Sequence, residues 1–409
     1  NFHAEFYPSE GGIDDQEQGL LVDAGKRLPF IDKAIYRLEK ETIPYWNKFL
    51  QGYYDASGIA SDSFDQAIQF TGGEATLTEN MQSKGIQLQT AVTSSISYMG
   101  FNMLDAVLGG DSEQARLLRQ AIAVAVDYEE YISIFMNGRG VSAQGAIPPG
   151  IFGYQAGAEG INPYVYNWQS GHAQRKSLQY ARQLMQTAGY AEGIDPKTGE
   201  ALILSLDTAA SGPDDRARLN WYRKQFDKLG IQLVIRATDY NRFQQKMRNG
   251  NAQVFIWGWN ADYPDPENFF FLLYGPNAKA VHGGENAGNY QNPEFDRLFN
   301  QMNNSDNGAE RLAIIAQMQE IIRHDAPWLF GLHPKSFSLF HRWYHNLKPN
   351  LMANNTLKYK RVDAHLRDRL RQQWNQPVFW PIAFILVMII ALILPAVRNF
   401  QRRAKETIK

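Results

Sequence analysis

The chain contains no cysteine. Disulfides, thiol nucleophiles and cysteine-based zinc sites are therefore excluded, while either redox compartment is tolerated. Nor is either charge in excess: 41 Lys and Arg against 42 Asp and Glu leave a net charge of -1. Phosphate binding needs a basic surface, so no nucleic-acid partner is expected. A nucleophile elbow, a Walker loop, a dinucleotide glycine fingerprint and a zincin helix are also missing. That disfavours an enzyme, and no cofactor or metal is expected. The opening NFHAEFYPSEGG has neither an initiator Met nor a signal peptide and reads as the start of a fragment or processed product.

Most of the chain is also short of long apolar runs, which makes the exception informative. Residues 378–397, VFWPIAFILVMIIALILPAV, carry no charge. About 20 residues at ~1.5 Å rise cross a bilayer core of ~30 Å, and Trp380 sits where an interfacial aromatic belongs. The alternative is a buried core helix, although cores seldom need a helix apolar on all sides. Both flanks are basic: Lys358, Lys360, Arg361, Arg367, Arg369 and Arg371 precede the run, and Arg398, Arg402, Arg403, Lys405 and Lys409 follow it. The positive-inside rule is nearly tied by these charges.

Upstream, Ala34–Leu38 alternates like a strand, and a helix around Tyr45–Leu50 stops at Gly52. Residues 83–103 read as strands. Two helices follow, the second opened by Asp127 with Glu130 as a capping box and closed before Gly138. Helices are then expected over 172–188 and from Pro213 to Leu229. Strands are expected at ALILSL, IQLVIRA and AQVFIWGW, with the helix DYNRFQQKMRN before the last. Such alternation implies crossover connections and a parallel or mixed sheet. Helices over 292–303 and 308–325, a strand-like PWLFGLHPKSFSLFHRW and a basic helical stalk over 358–376 complete the reading.

The segment IWGWNADYPDP (256–266) places two tryptophans and two acids where a sheet strand ends. Open α/β sheets present their ligand crevice at that end. Asp262 lies between Trp259 and Tyr263. An isolated carboxylate among aromatics is costly to desolvate, and a ligand ammonium relieves that cost while the rings cover its carbon skeleton. The alternative makes Asp262 a turn cap before Pro264 and the tryptophans core; Trp257, inside the strand, is expected to be core. Asp265, beyond Pro264, is expected to tolerate loss of its charge. His341 with His345, His282 with Glu285, and Asp14, Asp15 and Glu17 read as chance pairs or solvated turns.

Several stretches in order resemble one family. They are GKRLPFIDKAIYRLEKETIPYWNKFLQG, LLRQAIAVAVDYEEYISIFMNGRGVSAQGAIPPGIFGY, SLQYARQLMQTAGY, LGIQLVIRATDYNRFQQKMRNGNAQVFIWGWNADYPDPENFF, NAGNYQNPEFDRLFNQM and ERLAIIAQMQEIIRHDAPWLFGLHP. They are similar to the extracytoplasmic solute-binding proteins of ABC importers, in the peptide/nickel group, family 5.

The resemblance implies an α/β, type II periplasmic-binding fold of two lobes, the first incomplete here; the uncharged run adds one C-terminal transmembrane helix, where most members of the family are free in the periplasm or held by a lipid. Residues 1–99 would be the remainder of the N-terminal lobe, 100–330 the solute-binding lobe and 331–357 the return. The stalk would occupy 358–377, the span 378–397 and a cytoplasmic tail 398–409. It implies that Asp262 meets a peptide α-amino group, that Trp259 and Tyr263 line the site, and that Tyr98 and Asn102 of YMGFN join it. The implied partners are an oligopeptide or other small solute and the ABC permease subunits. The implied place is the inner (plasma) membrane, with the binding lobe on the periplasmic side. A membrane-tethered sensor is the rival reading, and a hydrolase with parts elsewhere a remote one.

Overall fold

The computed structural model describes residues 5–406 apart from 40, 72–73, 211, 213–214 and 351–355. Apart from two short hairpins (Ile68–Thr71 with Glu74–Leu77, and Tyr166–Gln169 with His172–Arg175), its strands, in chain order, are β1 (Ala56–Gly58), β2 (Ile86–Val92), β3 (Ser95–Phe101), β4 (Gly140–Ser142), β5 (Ile203–Ala209), β6 (Gln232–Thr238), β7 (Val254–Asn260), β8 (Trp328–His341), β9 (Tyr344–His345) and β10 (Arg361–Val362). The longer helices are α1 (Thr42–Leu50), α2 (Glu113–Ala125), α3 (Tyr128–Met136), α4 (Leu178–Thr187), α5 (Asp215–Asp227), α6 (Tyr240–Arg248), α7 (Pro293–Asn303), α8 (Ala309–Asp325), α9 (Ala364–Trp374) and α10 (Trp380–Glu406).

The first eight strands form one mixed sheet with the path β1-β8-β3-β7-β5-β6, while β2 and β4 also pair with β8. Pairings of β5 with β6 and β7 are parallel, as the strand–helix alternation requires. β3 is antiparallel to both β7 and β8. The 14-residue β8 belongs to two halves of this sheet. Its first part, from Trp328, pairs with β3, and Lys335–His341 pairs with β2.

Gly331 lies where β8 changes partners. Phe330 and Leu332 face the adjacent residues Tyr98 and Ser97, so Gly331 is the extra residue of a bulge. A Cβ there would come within 2.5 Å of the Ser97 carbonyl oxygen and 2.9 Å of the Tyr128 ring. Gly331→Ala is expected to cost ~1–3 kcal/mol through this overpacking, seen as a lower midpoint of urea unfolding. An unchanged midpoint would show that β3 yields freely at this point.

Alternation along β7 divides the core. Val254 and Ile256 meet α2, α4 and α5 through Leu118, Ile122, Ala181, Tyr222 and Phe226. Phe255, Trp257 and Trp259 face the other way, into a cluster holding Phe243, Phe270, Phe295, Ile315 and Met318. A separate small core packs Trp46 and Phe49 of α1 against Ile86, Phe337 and Leu339.

Local signals set several boundaries. Gly52 adopts φ +77 just after α1, where a side chain would be strained. Asp127 accepts the Glu130 backbone N–H at 2.9 Å. The reciprocal half of the box is not made, because Glu130 instead accepts from Trp221 Nε1 at 3.0 Å and Gln225 Nε2 at 2.9 Å.

Elsewhere the sequence reading needs correction. Ala34–Leu38 carries no strand and lies exposed, because no neighbouring strand pairs with it among the described residues. The helix expected over 172–188 begins only at Leu178, capped by Ser177; His172–Arg175 is a hairpin strand paired with Tyr166–Gln169. The start expected at Pro213 lies outside the described residues, and α5 is described from Asp215.

The stalk is not one helix. Tyr344 and His345 pair with Val362 and Arg361, and only Ala364–Trp374 is helical. Nor does α9 stand free, since Trp374 packs against Trp343 and His341 with ring centroids 5.6 and 5.4 Å apart. Of the described helices, only α10 is long and apolar enough to cross a membrane by length and composition.

Candidate functional site

β7 ends at Asn260, and two bonds fix its exit. The Ala261 N–H donates to the Ser94 carbonyl at 2.8 Å, and Ser95 Oγ donates to Asn260 Oδ1 at 2.7 Å. The loop that follows therefore starts beside the link between β2 and β3.

Asn268, buried in the short helix Glu267–Phe270, organises the loop. Its Oδ1 accepts the Asp262 N–H at 2.8 Å and Trp259 Nε1 at 3.3 Å. Its Nδ2 lies 3.5 Å from Asp262 Oδ2, a long contact. Asp262 is otherwise exposed. Trp259 is half-buried, edge-on to Phe271 at 5.2 Å. Tyr263 is 44% exposed, and its hydroxyl donates to Glu267. Burial and that carboxylate together push the Tyr263 pKa up to about 12, so it remains a neutral donor near neutral pH. The loop thus presents an exposed carboxylate flanked by two aromatic surfaces.

Asp265 behaves otherwise. Arg311 of α8 is buried and forks onto it, with Nη1 to Oδ2 at 2.8 Å and Nη2 to Oδ1 at 2.7 Å. Oδ1 also accepts the Glu267 N–H at 2.9 Å. Burial raises the Asp265 pKa, but the Arg311 guanidinium and the backbone donor outweigh it and hold the carboxyl below its ordinary value. The expectation that Asp265 tolerates loss of charge is therefore corrected: it clamps the loop to α8.

Tyr98 and Asn102 do not join Asp262. Tyr98 is buried and stacked on Trp328 at 3.7 Å. Asn102 is buried with both ends engaged. Its Nδ2 donates to the carbonyls of Gly250 and Ala252 at 2.9 and 2.8 Å, and its Oδ1 accepts from Asn289 Nδ2 at 3.1 Å. Both hold the core beneath β3, because an interior strand turns alternate side chains inward.

Two residues of the loop's neighbourhood were missed by sequence reasoning. Glu267 and Asn268 follow the Pro-Asp-Pro turn, and an Asn set among phenylalanines was the available sign of a buried polar anchor.

The remaining candidates are structural. His341 donates Nε2–H to the Phe49 carbonyl at 2.7 Å, and Glu285 pairs with Lys279 at 2.8 Å. Asp15 accepts from the Gly12 N–H at 2.7 Å and from Lys348 at 2.5 Å. No group of three or more metal-ligating side chains occurs among the described residues. An open hollow of about 390 Å³ lined by Pro276, His282, Asn292 and Asp296 does not include the Asp262 loop.

Bacterial extracellular solute-binding proteins of family 5 match, in the part of that family called its middle, over residues 23–280. The chain belongs to this family. Among curated relatives, the dipeptide-binding protein of Escherichia coli K12 is 24% identical over 269 residues, which cover 64% of this chain and 45% of that protein. Heme-binding protein A of Haemophilus influenzae is 26% identical over 253 residues, covering 62% and 42%. The chain thus spans about half the length of the curated relatives it matches.

Among solved structures, the periplasmic binding protein DppA of Helicobacter pylori with the peptide STSA aligns at a TM-score of 0.64 and 20% identity, over 83% of this chain and 59% of that one. AgaA of A. tumefaciens with agropinic acid aligns at 0.63 and 16%, over 84% and 64%. The fold is accordingly the α/β fold of periplasmic binding proteins. Within this family member, the exit of β7 is the place where an exposed carboxylate and two aromatic rings converge.

Proposed function

We propose that this chain is the solute-binding component of an ABC importer and that Asp262 receives the cationic end of a peptide or similar small solute. The observation that carries the reading is the exposed Asp262 carboxylate at the exit of β7, flanked by half-buried Trp259 and exposed Tyr263. A carboxylate so placed gains a charge-assisted bond when an ammonium replaces water. The relatives and structural neighbours support the same class, since they include a dipeptide-binding protein and a complex with a peptide.

In this reading two lobes close on the solute, hinged where Thr93–Ser94 and His333–Pro334 join the two halves of the sheet. Residues before the first link and after the second belong to one lobe, and those between belong to the other. α10 tethers the protein to the membrane beside its permease. Tyr98 and Asn102 support the floor from within, and the contacts to solute come from Asp262, Trp259 and Tyr263.

Asp262→Asn keeps the shape and removes the charge. Calorimetry with a small library of di- and tripeptides, on the protein supplied with any remaining lobe residues, is expected to show roughly tenfold or weaker binding, at ~1.4 kcal/mol per decade. Equal affinity for a peptide that binds the parent would reduce Asp262 to a turn residue and remove the main support for the peptide reading.

A further inference from the structure

We infer that the face of the small core nearest α10 rests on an anionic lipid surface, so that the lobe stands fixed on the membrane instead of swinging from it. This rests on the reading of α10 as a membrane tether.

α9 is fastened to that lobe by three kinds of contact. Trp374 covers Trp343 and His341. Asn375 Nδ2 donates to the Gln51 carbonyl at 2.9 Å. Gly52 leaves room for two side chains, since a Cβ there would lie 2.9 Å from Arg371 Cγ and 3.4 Å from the Trp374 ring. Only Gln376–Phe379 separate this docked helix and its cap from Trp380. Four residues reach at most ~14 Å, so the surface around Trp374 lies close to the bilayer that α10 enters.

That surface carries cations on aromatic rings. The Arg371 guanidinium lies 4.9 Å from the centre of the Tyr53 ring, and Lys84 Nζ lies 6.0 Å from that of Trp374. The Arg342 stem passes under Gly85, next to Lys84. None of the three has a carboxylate within ion-pair distance among the described residues, whereas the nearby Asp55 is taken by Arg367 at 3.6 Å and by Trp343 Nε1 at 2.8 Å. Tyr53 remains 50% exposed. Arginine, lysine, tyrosine and tryptophan together suit the headgroup layer, where apolar stems and rings sit inward and charges meet lipid phosphates. The tether raises the local concentration of the face at the membrane, so few contacts suffice.

The cysteine-free chain allows a direct test with single cysteines carrying a nitroxide. The full chain is placed in phosphatidylcholine discs, with or without phosphatidylglycerol, doped with a nickel-chelating lipid. Ser83→Cys reports the face, Gln169→Cys the distant hairpin and Ile389→Cys the tether. With phosphatidylglycerol, relaxation at position 83 is expected to exceed that at 169 several-fold. It should fall to the level of 169 in high salt and in Lys84→Glu/Arg342→Glu; the salt arm stands even where that variant folds poorly.

Equal relaxation at 83 and 169 with position 389 buried in lipid would overturn the lipid face while leaving the tether intact. Equal effects at 83 with and without phosphatidylglycerol would also overturn it, since charge is the basis of the contact. A water-exposed label at 389 would overturn the tether and the lipid face together.

Discussion

Acidification from pH 6.5 to pH 4 is expected to destabilise the protein steeply, through two buried histidines. His333 and His341 are each at most 1% exposed. Burial pushes the pKa of both down to about 4, against the pull of one backbone acceptor each. His333 donates Nδ1–H to the Ser95 carbonyl at 2.9 Å, and its Nε2 is buried without a partner. His341 lies in the aromatic stack with Trp343, its Nδ1 likewise unpartnered.

Protonating either ring in place would bury a cation and an N–H with no acceptor. The unfolded chain has no such barrier and titrates near 6.5. Between those values the unfolded state holds more protons than the folded one, so stability falls as pH falls. Each histidine contributes at most ~3 kcal/mol to that loss, at 1.36 kcal/mol per unit.

A carboxylate acts in a lower window. Burial raises the Asp23 pKa, but Lys26, Arg361 and Asn346 outweigh it and bring it down to about 2, so its contribution disappears only below pH 4. Urea midpoints measured at pH 7, 6, 5 and 4.5 test the account. They should drop across this range in the parent and drop less in His333→Gln/His341→Gln. A midpoint constant between pH 7 and pH 5 would refute it. Because His333 lies where β8 leaves β3 and β4 for β2, the same acidification should loosen the crossing between the two halves of the sheet before the deeper cores melt.

Removing the Arg311 guanidinium should cost ~2 kcal/mol, because the Asp265 carboxylate left behind is 30% exposed and water compensates part of the loss. Arg311→Met keeps the stem and strips the donors from Asp265, from the Asn307 side chain at 2.5 Å and from the Met302 carbonyl at 3.0 Å. Asp265→Asn should cost more, ~3–5 kcal/mol, because it leaves the Arg311 guanidinium, 7% exposed, as a buried cation without its counter-charge. On the proposed role of Asp262, both changes should also weaken solute binding, since the clamp fixes the loop that carries it. Asp262→Asn should weaken binding at unchanged stability. Measuring the urea midpoint and the affinity on all three variants separates the roles. A fully stable Arg311→Met protein would show that the clamp is dispensable.

The sequence by itself determined what depends on near neighbours. The stop of α1 at Gly52, the start of α3 at Asp127 and the apolar length of α10 are all signals confined to a few turns of chain. The strand–helix alternation of 203–260 fixed the parallel part of the sheet, and the composition of 256–266 pointed to the exit of β7.

Only the tertiary structure decided matters that join distant residues. Asp262 and Asp265 are indistinguishable as letters three apart. One is exposed and the other held in an ion pair because Arg311, 46 residues beyond Asp265, reaches only Asp265. Tyr98 and Asn102 left the site because Trp328 and the carbonyls of Gly250 and Ala252 claim them inside the core. The stalk became a docked helix because Trp374 buries its ring against Trp343, a contact that periodicity cannot register. Helical and strand patterns report which face is apolar; which distant group covers that face is set by chain topology and packing.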